Sequence, residues 1–428
     1  MEDASKYFEV AKNWENNRWQ SFKSCLEKIS KTNKFYQKHF PGVKFFDEWK
    51  SFEDFVKHCP FTQKHDLVKD RDDHPPYGTN LTFPISEYKK FNQTSGTKGK
   101  PMGWLDTLED WNWMLENWER VLDAAQVNNG SCCYFAFSFG PFLGFWTAYE
   151  AASRKGCLCI PGGGQSTEQR LHEIINQRAE YLFCTPTYAM RLTKFAEENG
   201  IDLSKHELKS IIVAGETGGS LQELRNRIIS TWGKDLEIHD HYGMTEVGPV
   251  AYEIPGHNVG LRINLDSYFA EVIDPKIEKP VEDGVKGELV LTTLGRVGCP
   301  VFRYRTGDLV MANCGYDDNG LPTFDLVGGI LGRTDDMVVV RGVNLYPSAI
   351  DSVINRFPEI KEYQVCFEYI DSMLEVKVRI ECDKEIASLL ESVLQQNFSL
   401  RIPVELVESG SLPRSDMKAN RWIKPESI

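Results

Sequence analysis

Apolar positions change their period along this chain, and the changes divide it. From residue 5 to residue 75 the period is helical. Trp14, Trp19, Phe22, Leu26 and Ile29 fall on one face, which predicts an accessory helical segment. Charged stretches broken by Pro60, Pro75, Pro76 and Pro84 follow, and no chemistry is expected before Gln93. From about 105 to 240 short apolar runs alternate with helical patterns. Cys157–Ile160, Tyr181–Cys184, Lys209–Ala214 and Leu236–His239 read as strands. Between them Leu171, Ile174 and Ile175, then Tyr188, Leu192 and Phe195, then Leu224 and Ile228 mark helices. Ser220 and Glu223 have the spacing of a capping box that would open the last of these. Alternation of this kind predicts a parallel sheet covered by helices. Ligands bind such sheets beyond the carboxyl ends of the strands. That places Gly215 to Gly218, and Asp240 to Gly243, at the edge of a site.

From 260 to 330 short β-type runs take over, at Gly287–Thr293, Phe302–Tyr304 and Leu309–Met311, and predict a smaller β-rich subdomain. The glycine-rich run from Gly328 to Arg333 reads as a junction. Beyond it come Val338–Val340, a helix from Ser348, strands near Gln364–Phe367 and Glu375–Ile380, and a helix near Ile386–Gln396. The expected class is α/β. A large N-terminal domain, residues 1–334, has parallel βα sheets and a β-rich subdomain; a small mobile α+β C-terminal domain spans residues 335–428.

Composition narrows the partners more than the fold. The 428 residues are 41% apolar and 26% charged, as in a soluble globular protein. Lys and Arg number 49 against 62 Asp and Glu, a net charge of −13, which argues against a nucleic-acid partner. No apolar run approaches the ~20 residues of a membrane span, and the acidic start Met1-Glu2-Asp3-Ala4 is unlike a signal peptide. Eleven cysteines stand mostly in apolar contexts such as Cys157-Leu158-Cys159, with no Cys-x-x-Cys pair. They read as free thiols in a reducing cytoplasm.

Candidate chemistry begins at Thr94, Ser95, Gly96, Thr97, Lys98, Gly99 and Lys100, which set hydroxyls, glycines and lysines side by side. Glycines let backbone N–H groups close on an anion, hydroxyls add donors, and lysines add charge. The Walker A pattern is excluded, because Pro101 follows Lys100 where Ser or Thr is required. Four further stretches stand out. Tyr242-Gly243-Met244-Thr245-Glu246 follows a strand, and Tyr304 to Leu309 sets Asp308 at an expected turn between strands. Gly332 to Met337 with Arg341 to Asn344 marks the junction, and Leu412 to Arg421 lies near the end. Each alone fits a hairpin turn, a capped helix or a solvated tail. Their joint occurrence in this order does not.

Together these stretches resemble the adenylate-forming superfamily of acyl-CoA synthetases, adenylation domains and luciferases. Pro60-Phe61-Thr62-Gln63-Lys64, Gly163 to Gln169, Cys184 to Tyr188 and Arg341-Gly342-Val343-Asn344 are similar to its phenylacetate–CoA ligase branch. The resemblance implies that a carboxylic acid attacks the α-phosphate of ATP, giving an acyl-adenylate and pyrophosphate, and that the acyl group then passes to coenzyme A. It implies that Thr94, Ser95, Gly96, Thr97, Gly99 and Lys100 wrap the β- and γ-phosphates, that Glu246 binds Mg²⁺, and that Thr245 reaches a phosphate oxygen. Tyr242, followed by Gly243, would pack on the adenine, with Gly215 and Glu216 lining its edge and Asp240 accepting from its amino group. Asp308 would accept both ribose hydroxyls, with Arg333 beside it. Lys418 matches the superfamily's catalytic lysine, which bridges the carboxylate and the α-phosphate, although Met417 stands where glycine is usual. Asp335 maps to a hinge about which the C-terminal domain swings, withdrawing Lys418 and bringing Arg341 and Gly342 to the thiol's tunnel.

The aromatic run Tyr134 to Phe142 is expected to approach the site, with Tyr134, Phe135 and Phe139 lining a slot for an aryl or arylacetic acid. A zinc pattern seen in many members of this branch is not matched. Ile254, Arg262 and Ala312 stand at the corresponding places and only Cys314 remains, with Glu253 and His257 as poor substitutes, so zinc is not expected. An amine or a carrier-protein thiol in place of CoA is the competing acceptor. A nucleotide-binding protein without catalysis is the reading from another class. A homodimer is compatible with the sequence.

Overall fold

The computed structural model describes residues 2–40, 49–94, 101–216, 218–254, 260–334, 336, 338–341, 343–370, 373–382, 386–413 and 421–424. The helical period at the start produces one long helix, Glu2–Thr32, whose Trp19, Phe22, Leu26 and Ile29 are buried. With Phe52 and Phe55 of the helix Phe52–His58 they form an aromatic cluster that also takes in Phe269 and Phe302. Polar ties reinforce this docking. The Phe302 N–H donates to the Tyr36 hydroxyl (2.9 Å), and the Arg303 guanidinium donates to the Cys59 carbonyl (2.7 Å). The accessory segment is therefore sewn to the strand that follows Arg303. Thr62 itself bridges to Tyr304 as a short parallel pair.

Among the described residues the main sheet has twelve strands. Its parallel half runs in the order Glu237–Met244, Ser210–Ala214, Tyr181–Cys184, Cys132–Phe135, Leu158–Pro161. Its inner strands Cys132–Phe135 and Tyr181–Cys184 are short continuous apolar runs buried throughout, as expected where both faces are covered. Leu171, Leu192 and Ile228 pack helices Thr167–Asn176, Pro186–Asn199 and Gln222–Trp232 on one face. Trp118, Leu122 and Ala148 pack Leu108–Ala124 and Leu143–Arg154 on the other. Strand order reverses at Cys132–Phe135, and the crevice beyond its carboxyl end is where such folds bind ligands.

The antiparallel half continues through Gly248–Tyr252, Gly260–Ile263, Pro322–Val327, Tyr304–Tyr316 and Lys286–Thr293 to Tyr268–Ile273. Here the expected Phe302–Tyr304 and Leu309–Met311 runs prove to be one strand, Tyr304–Tyr316, and Asp308 sits within it instead of at a turn. The local irregularity has another cause. Arg305 to Leu309 face only Glu288 to Val290, so the strand bulges, and Gly307 at φ 75° supplies the left-handed residue the bulge needs. The capping box expected at Ser220 and Glu223 is also absent. The helix starts at Gln222, and the Ser220 hydroxyl donates to Asp240 instead (2.6 Å).

From Val338 onward the chain packs a core of its own around Val340, Val365, Val378 and Leu390. Its sheet runs Val404–Val407, Met373–Cys382, Ile360–Ile370, Trp422–Ile423, with helices Pro347–Ile354 and Ala387–Phe398. All the cysteines are free, and Cys314 alone is exposed.

Two buried charge arrangements frame the crevice. Arg296 and Asp106 are fully buried and pair through two hydrogen bonds of 2.7 and 2.9 Å, while Arg296 Nη1 also donates to the Thr245 carbonyl (2.8 Å). Removing one partner strands a buried charge. Asp106→Ala is therefore expected to cost about 3–5 kcal/mol of stability, read from denaturant unfolding; a loss below about 1 kcal/mol contradicts it. The second is Asp240, whose carboxyl burial pushes up to about 6 against the pull of Ser220 and Arg225. A carboxyl with a raised folded-state pKa holds its proton more tightly when folded. Its contribution to stability is thus greatest in acid and falls as pH rises from about 4 to about 6. Asp240→Asn has no such proton to lose. Unfolding free energies measured across pH 4–7 should show a shallower fall for the variant, and equal slopes contradict the assignment.

Candidate active site

One cavity of 2730 Å³ opens beyond the carboxyl ends of the parallel strands. Thr94, Gly215, Glu216, Asp240, Tyr242, Gly243, Thr245, Glu246, Asp308 and Arg333 all border it. Ser95, Gly96, Thr97, Gly99, Lys100, Asp335, Gly342 and Lys418 lie outside the described residues. The neck of the glycine-rich loop is closed, because Thr94 exchanges backbone N–H and hydroxyl bonds with Met102 (both 3.0 Å).

Asp308 is a buried carboxylate on the wall, held from two sides. Oδ2 accepts from the Tyr242 hydroxyl (2.6 Å) and Oδ1 from Arg333 Nη1 (2.9 Å), its cross-strand neighbour. Burial and the adjacent Asp308 charge hold the Tyr242 phenol well above its ordinary value, so it stays a donor. Asp240 is held from behind. Its N–H donates to Glu253 Oε2 (2.9 Å), Glu253 is gripped by the Arg225 fork, and Arg225 Nε donates to the Gly219 carbonyl (2.7 Å). A side chain at position 219 would collide with the Asp240 carboxylate, which explains a glycine there. Glu216 accepts from the Thr187 N–H (2.7 Å), a first-turn donor of the helix Pro186–Asn199, where a negative charge suits the helix dipole.

Glu246 is 4% exposed and borders the cavity beside Thr245, whose carbonyl Arg296 fixes. The Tyr304 hydroxyl is 3.4 Å from its Oε1, and the Lys64 ammonium is 3.2 Å from the same oxygen. Lys64 stands against the expectation that nothing before Gln93 carries chemistry. It is the first residue of the helix Lys64–Asp73, where a cation opposes the helix dipole. That local misfit was the available signal.

The aromatic expectation is corrected in detail. Tyr134 and Phe135 are wholly buried, in the cores on opposite faces of the sheet, because successive residues of a strand point opposite ways. Phe139, at φ 52°, turns its ring onto Trp146 and Tyr149. The apolar wall is instead Ala136, Phe137, Phe142, Leu143 and Phe145, with Phe137 and Phe145 stacked at 4.1 Å. Trp118 and His241 complete it; their ring centroids are 4.2 Å apart. His241 lies within the stretch Asp240 to Gly243 expected at the site edge, though with no role assigned, and Trp118 lies in no candidate stretch.

Arg341 is exposed, pairs with Glu375 (2.6 Å) and does not border the cavity. Other C-terminal residues do, among them Asp351, Tyr363, Arg421 and Lys424. That unit is held to the sheet's helices by Lys194, whose ammonium donates to the backbone carbonyls of Lys361 (2.7 Å) and Ile360 (3.2 Å), and by Arg356 beside Glu223 (3.7 Å). Of the zinc positions, Arg262 pairs with Asp325 (2.6 Å) and Glu253 with Arg225; His257 lies outside the described residues. Among the described residues no helix is long and apolar enough to cross a membrane.

Residues 91–295 match the AMP-binding enzyme family and residues 342–424 the AMP-binding enzyme C-terminal domain. The phenylacetate–coenzyme A ligase of Pseudomonas putida is 32% identical over 387 residues, 87% of this chain and 85% of that protein. The Escherichia coli K12 phenylacetate–coenzyme A ligase is 31% identical, with 88% and 86% covered. Among solved structures, 2-hydroxyisobutyryl-CoA ligase in its postadenylation state with 2-HIB-AMP superposes with a TM-score of 0.89 at 25% identity, covering 96% of this chain and 90% of that one. In its thioesterification state, with 2-HIB-AMP and CoA, the same ligase gives 0.72 at 26% identity, with 97% and 90% covered. With fold and sequence in agreement over most of its length, the chain belongs to the phenylacetate–coenzyme A ligase family of AMP-binding enzymes.

Proposed function

We propose that this cavity activates an arylacetic or related aryl acid with ATP and passes the acyl group to coenzyme A. In the first step a carboxylate oxygen attacks the α-phosphorus and the bond to the β-phosphate oxygen breaks, releasing pyrophosphate. In the second the thiol sulfur attacks the acyl carbon, its proton is lost and AMP leaves. Both steps bring negative groups together, so the protein's task is placement and charge neutralisation.

One observation carries the reading: residues from segments far apart in sequence converge on one cavity with a polar wall and an aromatic wall. Asp308, already oriented by Tyr242 and Arg333, would take the ribose hydroxyls, and the Tyr242 ring would pack on the adenine. Asp240, Gly215, Glu216 and Gly243 would bound the base. Thr94 and the loop that follows it, Ser95 to Lys100, would hold the β- and γ-phosphates with Thr245. Glu246 suits a hard cation, being a buried carboxylate on the cavity wall; Mg²⁺ held there would offset phosphate charge. The Lys64 ammonium, within reach of the same carboxylate, would add a second positive group for the leaving pyrophosphate.

The division of the chain at Asp335, into 1–334 and 335–428, belongs to the same proposal. The better superposition on the postadenylation state than on the thioesterification state supports a C-terminal unit caught in one of two arrangements. Lys418 would serve the first step and Arg341 with Gly342 the second. Transfer to an amine or a carrier-protein thiol is the alternative acceptor, and mass spectrometry of products with CoA or amines supplied separates the two.

Lys418→Ala is expected to abolish acid-dependent pyrophosphate exchange while largely sparing thioester formation from supplied acyl-adenylate; surviving exchange refutes that role. Lys64→Met should lower kcat/KM for ATP in the same exchange by at least about tenfold, the scale of one charge-assisted hydrogen bond. An unchanged value removes Lys64 from the site.

A further inference from the structure

The strand Glu237–Met244 serves two sides of the cavity. Asp240 turns to Ser220, and Tyr242, two residues on, turns to Asp308. Alternation sends His241 the opposite way, against Trp118 and toward the aromatic wall of Phe137 and Phe145. On an otherwise apolar wall a histidine needs a reason.

Its hydrogen bonding fixes what it offers. Nδ1 lies 2.8 Å from the Ala251 carbonyl, which can only accept, so Nδ1 carries the proton and Nε2 a lone pair. Burial pushes the imidazole down to about 4, which keeps the ring neutral and Nε2 an acceptor through the neutral range. Among the described residues no protein donor reaches Nε2, and the ring borders the cavity. Trp118, packed against the ring, keeps it from turning. The result is a fixed acceptor awaiting a donor.

We propose that the acid activated here carries a hydroxyl group on its ring, which donates to His241 Nε2 when the carboxylate reaches the nucleotide. This rests on the acid-activation reading above. A plain aryl ring would leave Nε2 desolvated and unpaired, and sites built for a substrate hydroxyl discriminate strongly against the analogue that lacks it.

The test is acid-dependent pyrophosphate release by the full chain with phenylacetate, its three ring-hydroxylated isomers and the matching methyl ethers. One hydroxylated isomer should exceed both phenylacetate and its own methyl ether by about tenfold or more in kcat/KM. His241→Leu should collapse that ratio to within about threefold, and His241→Gln, which keeps a neutral acceptor, should preserve part of it. Thermal melts confirm that the variants are folded. Preference for phenylacetate, or a ratio unchanged in folded His241→Leu, overturns the hydroxyl assignment while leaving acid activation standing. If none of these acids nor any in a wider panel releases pyrophosphate, the acid-activation reading itself fails.

Discussion

Asp308 ties together parts of the chain that have no local reason to meet. Its two oxygens hold Tyr242, at the end of the parallel half of the sheet, and Arg333, on the short strand leading to the C-terminal unit. Its own position depends on a bulge that Gly307 and the Thr306 hydroxyl permit, since Thr306 Oγ1 accepts from the Asp308 N–H (3.0 Å). A buried carboxylate is tolerated only when its lone pairs are met. Meeting them here requires both halves of the sheet and the junction to be in register at once, so correct assembly of the fold and assembly of this cavity wall are the same event.

The accessory helical segment shares this logic. Its aromatic face contributes burial, and its polar ties to Pro300, Phe302 and Arg303 fix the chain just ahead of Lys64. A lysine at the positive end of a helix is locally unfavourable, yet the bridge between Thr62 and Tyr304 sets it beside Glu246. Long-range docking outweighs the local preference, and a segment that looked like scaffold becomes part of the wall.

How much of this was legible follows from how local each signal is. Tyr181–Cys184 was readable to the residue, because an apolar run buried on both faces has no other home. Asp308 borders the cavity but is not legible as part of a strand, since a bulge interrupts apolar period as a turn does. Ser220 makes no cap because a distant carboxylate, Asp240, takes its hydroxyl. The aromatic run pointed to the right stretch and the wrong rings: strand parity buries Tyr134 and Phe135, and only beyond the strand's end do Ala136, Phe137 and Phe142 meet the cavity. Lys64 gains its meaning from Glu246 and His241 from Trp118, contacts that no window of sequence contains.

The contact made by Lys194 has a consequence for how such chains diversify. Its ammonium holds main-chain oxygens of Ile360 and Lys361, groups that every residue type presents alike. Substitution on the C-terminal side therefore leaves this attachment intact so long as the backbone keeps its course. The two portions are free to drift at different rates, and lineages could exchange their C-terminal portions by recombination without reinventing the seam.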